Sequence, residues 1–173
     1  MAAKEAAIAR FLQEYPQAAD VGRRHPALDG CEEIRWSEFP QCPAALPALL
    51  YGLLDPAAAT EAQRVLINTL FTIAEMNPAV PHVLPFLLRL ADDPQVPERS
   101  RLLEYLTMVA DYSEPVETAD EALVQWFGSD SEHPERERCR AVFAQHAHIV
   151  ETLPDGLVDP ASRARLRQAA GLV

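Results

Sequence analysis

The stretch whose reading decides the fold is Leu46-Pro47-Ala48-Leu49-Leu50 with Asp55-Pro56 after it, because it returns as Leu84-Pro85-Phe86-Leu87-Leu88 and Asp93-Pro94. Both proline pairs keep one offset of 38 residues (85 − 47 and 94 − 56). The apolar positions that follow also return: Leu66, Leu70, Ala74 and Glu75 match Leu102, Leu106, Ala110 and Asp111 at an offset of 36, with Ile73 facing Val109. Leucines three and four apart, repeated at that period, predict two copies of one antiparallel helix pair. Each helix then buries its apolar stripe against its mate and its neighbours.

In each Asp-Pro, the carboxylate is expected to accept N–H groups of the next helix, while proline takes the first helical position, where no donor is needed. A third copy, Asp159-Pro160, precedes residues 163–172. Together with residues 138–153 that last helix reads as a third, degenerate pair, as end repeats that cap a stack usually are. The expectation is an all-α chain, a short α-solenoid of antiparallel helix pairs. Residues 1–173 form one domain: an N-terminal helix and long loop over 1–43, pair one over 44–76, pair two over 79–112, an acidic insertion over 113–133 and a capping pair over 134–173.

Working outward from the repeats, residues 3–15 carry Ala7, Ile8, Phe11 and Leu12 at helical spacing, and Pro16 ends that helix. Residues 16–43 hold Gly22, Pro26, Gly30 and Pro40 with little periodicity, which predicts a surface loop anchored by Ile34, Trp36 and Phe39. Within the insertion a short helix is expected near residues 120–127.

Composition sets the outer bounds. With 49% hydrophobic residues, 24% charged residues and 6 glycines in 173 positions, the chain can bury a core without disulfides or metal. The formal net charge of −11 disfavours nucleic acid or an anionic membrane as ligand and favours a basic protein partner, although acidity also serves solubility. Cys31, Cys42 and Cys139 are odd in number and form no C-x-x-C, so a reducing compartment fits best. Lys4, Glu5, Arg10 and Glu14 interrupt the N-terminus, so it lacks the apolar region of a signal peptide. No apolar run reaches the ~18 residues of a spanning helix. A cytoplasmic location is expected.

The run Ile34-Arg35-Trp36, the two Leu-Pro segments with Val83 ahead of the second, and Leu102-Leu103-Glu104-Tyr105-Leu106 resemble bacterial HEAT-repeat proteins, over residues 34–172. The resemblance implies a solenoid of helix pairs. Some proteins of that kind are proposed immunity proteins for polymorphic toxins, so it also implies a non-enzymatic role in which the chain binds and neutralises a cognate basic toxin or effector. A structural scaffold or adaptor in a protein complex is the alternative. Residues 74–80 depart from the pattern by lacking a glycine-containing linker.

Chemistry-bearing constellations are sparse. No G-x-S-x-G, phosphate-cradling glycine loop or H-E-x-x-H occurs, and no catalytic residue, cofactor site or metal site is assigned. His146 and His148 share a predicted helix with Cys139, but a spacing of two places them about 200° apart around it. The repeat register instead points to a contact surface. With the leucines inward, the second helix of pair two should expose Glu104, Tyr105, Met108, Asp111 and Tyr112, and pair one should match them with Glu75 and Met76. The insertion adds Glu114, Glu117, Glu121 and Trp126. Acids around aromatics suit a cationic protein surface. Two further readings stay open: Tyr105 and Tyr112 packing under the insertion, and Trp126 anchoring its helix to the stack.

Overall fold

The leucine register folds as helices in a computed structural model, which describes residues 1–19, 25–72, 75–116 and 121–172. In chain order the helices are α1 (Ala2–Glu14), α2 (Leu46–Gly52), α3 (Ala59–Leu70), α4 (Val80–Asp92), α5 (Arg99–Tyr112), α6 (Glu121–Phe127), α7 (Pro134–Gln145), α8 (Ala147–Thr152) and α9 (Pro160–Ala169). Among the described residues between α1 and α2 lie three short 3₁₀ turns, Pro16–Ala19, Pro26–Leu28 and Trp36–Glu38. The chain is all-α: among the described residues the only β-type pairing is one isolated bridge, Phe71 with Met76.

The matched leucines do what their spacing predicts. Leu46, Leu49, Leu50, Leu84, Leu87, Leu66 and Leu102 are fully buried. Within each pair α2 packs on α3 and α4 on α5, and α4 sits at the centre, against α5, α7, α8 and the second 3₁₀ turn. Its core face, Val80, Val83, Leu84, Leu87, Leu90 and Ala91, is completely enclosed. Truncating such a leucine to alanine costs about 2–5 kcal/mol, because transfer and cavity terms add. At the other end, α1 packs on α3 and α2. Gly52 permits that approach: a Cβ there would lie 2.6 Å from the Phe11 ring and 2.9 Å from the Ala62 Cβ.

The two copies are less alike in backbone than in sequence. Pro47 stands in the first turn of α2, where its missing N–H costs little, but the matching Pro85 lies inside α4 because that helix starts earlier, at Val80. The Asp-Pro signals also diverge. Only Asp159 caps a helix as expected, accepting from Ala161 N at 2.9 Å and Ser162 N at 3.0 Å with Pro160 in the first turn. Asp55 instead accepts from Ala57 N at 2.9 Å and Asp93 from Gln95 N at 2.8 Å, in turns that precede the helix starts at Ala59 and Arg99. These are local Asx turns, in which the carboxylate mimics a backbone carbonyl.

The offset of 36 fails past Leu70, where α3 ends. Thr72 N donates to Glu75 O at 2.9 Å and Asn77 N to Leu70 O at 2.8 Å, closing a tight loop in place of another helical turn. Glu75 is therefore a loop residue, while its sequence match Asp111 is helical; Ile73 and Ala74 lie outside the described residues. The segment between α1 and α2 is wrapped on the core. Trp36 is buried, donates Nε1–H to Cys31 O at 2.8 Å and meets Phe86 edge-on at 6.4 Å, while Phe39 rests on His82 at 4.6 Å. Ile34 is half-buried beside them, and Gly22 lies outside the described residues. The C-terminal part folds as three helices, not two, because α7 breaks at His146 before α8.

Candidate protein-binding surface

On α5 the spacing Leu102, Tyr105, Leu106, Val109 is a continuous inward stripe, and Arg101, Glu104, Met108 and Asp111 form the opposite one. Glu104 and Asp111 are exposed, and Met108 and Tyr112 are half-buried. Tyr105, expected on the outer side, is a core residue at 2% exposure, because it stands three positions after Leu102 and so shares its face. The aligned position in pair one, Thr69, is buried as well and returns its hydroxyl to Val65 O at 2.7 Å. Met76, also expected outside, is buried against Cys139 with the sulfurs 3.8 Å apart. Phe71 makes T-shaped contacts with both Tyr105 and Tyr112, with ring centroids 5.7 and 5.3 Å apart. Both tyrosines thus pack on Phe71 at the end of pair one, and Tyr112 also lines a cleft with Pro115, Val116 and Phe127 of the insertion.

A cleft that could serve as such a surface lies where the C-terminal end of α5 meets the insertion. Asp111, Tyr112, Glu114, Pro115, Val116, Phe127 and Arg136 line an open cleft of about 490 Å³. Arg165 of α9 stands behind its acids, with Nε 2.7 Å from Asp111 Oδ1 and an Nη on Glu114. Arg140 fastens the end of α5 through Ser113 O and binds Asp130 at 2.8 Å. Beside the cleft, α6 ends in two exposed rings, Trp126 at 77% and Phe127 at 42%. Glu117, and the side chain of Glu121, lie outside the described residues.

What holds those rings at the surface is the loop after them. The Arg136 side chain, 7% exposed, donates to Phe127 O and to Gly128 O, capping the carbonyl end of α6 with a cation. Gly128 turns the chain with φ +69, and a Cβ there would lie 2.6 Å from His133 Nε2. His133 Nδ1 in turn pairs with Glu135 at 2.9 Å. Glu132 accepts from Ser129 N and Oγ, both at 2.9 Å, and the backbone N–H is the main reason its carboxyl sits below the usual carboxylate range. Asp130 adds a bond from Val116 N at 3.3 Å, tying the start of the insertion to its end. Glycine directly after a helix is a signal that could have located this turn, but Arg136 and Asp130 meet it only through tertiary structure.

The histidines behave differently from the expectation for one helix. The break at His146 brings its ring alongside that of His148, with centroids 6.3 Å apart and planes 24° apart. They border a second, more open groove with His25, Arg89, Asp92 and Asp93. Both nitrogens of His25 are engaged there: Nδ1 accepts from Ala27 N at 3.3 Å, and Nε2 lies 3.2 Å from Asp93. Among the described residues no group of three or more metal-ligating side chains comes together. No helix among them is long and apolar enough to cross a membrane. No protein family, curated protein or solved structure matches the chain.

Proposed function

We propose that this chain is a non-enzymatic protein-binding module, a short HEAT-like solenoid that captures a basic protein on the surface formed by the end of α5 and the insertion. Its most concrete form is an immunity protein that neutralises a cognate toxin or effector by covering its active site. The observation that carries the reading is Trp126, a large aromatic left 77% exposed on a helix whose end is fixed by a buried arginine. Exposing such a ring in water is unfavourable, and fixing it there lowers the ordering cost of binding. Tryptophan at the centre of a contact, with acids around it, fits the composition of interface hot spots and a cationic partner. The acids named for that rim are Glu104, Asp111 and Glu114, with Glu117 and Glu121 from sequence.

The test is co-expression with a toxin-like protein encoded beside this chain. Rescue of growth is expected, and Trp126→Ala should weaken binding by about 30-fold, the ~2 kcal/mol of a hot-spot ring, with an unchanged melting temperature. Tight binding without rescue would make the chain an adaptor in a complex. Full affinity in Trp126→Ala would remove this surface from the contact.

A further inference from the structure

The cleft beside Trp126 carries features that select one kind of cation. Its two acids, Asp111 and Glu114, lie a turn apart at the end of α5, and from behind they already hold a guanidinium, that of Arg165, through two different nitrogens. Their side chains are nonetheless 51% and 43% exposed and both line the cleft, so the Arg165 contact does not bury them. Carboxylates spaced to receive two N–H groups of one flat cation suit arginine, whereas an ammonium makes a point contact.

The rest of the lining includes apolar groups. Phe127, Pro115 and Val116 line the same cleft, and Trp126 precedes Phe127 on α6. Aromatic faces attract the guanidinium plane, which is weakly hydrated and loses little on leaving water. The arginine on the floor, Arg136, does not compete for these acids, since its N–H groups are committed to Phe127 O, Gly128 O and Asp130. With a chain charge of −11 behind it, the cleft favours entry of a positive group.

We infer that the partner presents an arginine whose guanidinium enters this cleft, sharing Asp111 and Glu114 with Arg165 and stacking on Phe127, with the segment that carries it covering Trp126. The inference rests on the protein-binding reading above and narrows it from a basic protein to an arginine-bearing segment.

The probes are hexa-arginine and hexa-lysine peptides of equal charge, titrated against the full chain. The readout is acrylamide quenching of tryptophan emission, which reports Trp126 because Trp36 is 2% exposed. Hexa-arginine should shield Trp126 with an apparent affinity about fivefold or more above that of hexa-lysine, the scale of one added charge-assisted hydrogen bond. Asp111→Asn and Glu114→Gln should each erase that preference, while Glu151→Gln on α8 keeps it. Melting curves of both variants verify folding, and either one alone suffices for the comparison. Equal shielding by the two peptides would end the arginine assignment and leave a basic partner standing. Shielding by neither would end both, and a preference that survives in Asp111→Asn and Glu114→Gln would move the arginine elsewhere.

Discussion

Tyr105 shows how one side chain can be misplaced by a sound register. It stands beside Glu104 in sequence and carries a polar tip, yet its ring completes the stripe of Leu102, Leu106 and Val109 and meets Phe71 edge-on. Its hydroxyl finds no hydrogen-bond partner among the described residues, and burial pushes its pKa up, with the neighbouring Cys139 adding to the shift. An unpaired buried hydroxyl is a cost, so the group is there for the ring and not for the oxygen. Tyr105→Phe should be neutral or raise stability by about 1 kcal/mol in urea denaturation, because it removes the unpaired donor and keeps the packing. Tyr105→Ala should lose about 3–5 kcal/mol through the cavity it opens. A clear loss in the phenylalanine variant would mean that the hydroxyl has a partner after all.

At the scale of elements, what the sequence made legible was local and periodic, and what it concealed was tertiary. The leucine spacing named the inward faces of α3, α4 and α5, and the Asp159-Pro160 signal placed the start of α9, because both act within one or two turns. The length of α4 was hidden, since Leu84-Pro85 looks like a helix start and lies mid-helix only because Val80 begins the turn earlier. The break at His146, and the loop that ends α3 at Leu70, depend on how α7 and pair one meet the core, which no short-range pattern encodes. For the surface, the acids and Trp126 could be named from composition, whereas the Arg165 clamp joins residues 54 apart (165 − 111) and needed the fold. Asp159 also yields a pH prediction. Its bond from the Ser162 hydroxyl, then those from the Ser162 and Ala161 N–H groups, hold its carboxyl below the usual carboxylate range. A depressed folded value means the cap contributes fully above the ordinary pKa and is lost as pH falls through the depressed one. Wild type should therefore lose melting temperature on that acid limb, while Asp159→Asn, which keeps an acceptor but cannot titrate, should show a shallower decline. Asp159→Ala should melt a few degrees lower at neutral pH, since α9 then lacks its cap. Identical acid limbs in wild type and Asp159→Asn would show that the cap does not couple to folding.

For the whole molecule, charge and cooperativity make separate claims. A net charge of −11 should speed association with a basic partner at low salt, so the on-rate in stopped flow should fall by about tenfold or more between 0.05 and 0.5 M salt while the off-rate changes little. An on-rate indifferent to salt would remove electrostatics from the encounter. Cooperativity is reported by the three thiols, all buried, in the segment before α2 (Cys31 and Cys42) and on α7 (Cys139). Burial raises all three, Cys42 to about 11, so the thiolate that reacts is scarce in the folded state and labelling must wait for opening. In an ideal stack of repeats each unit touches only its neighbours, and the ends can open alone. Here α4 packs against the second 3₁₀ turn near the N-terminus and against α7 and α8 near the C-terminus, which ties the ends through one central helix. The three cysteines should therefore label with opening free energies within about 1 kcal/mol of one another and of the global value from urea. Selective early labelling of Cys139 would show that the capping helices open as a separate unit, and the surface at the end of α5, held from behind by α9, would then be the first part of the molecule to loosen.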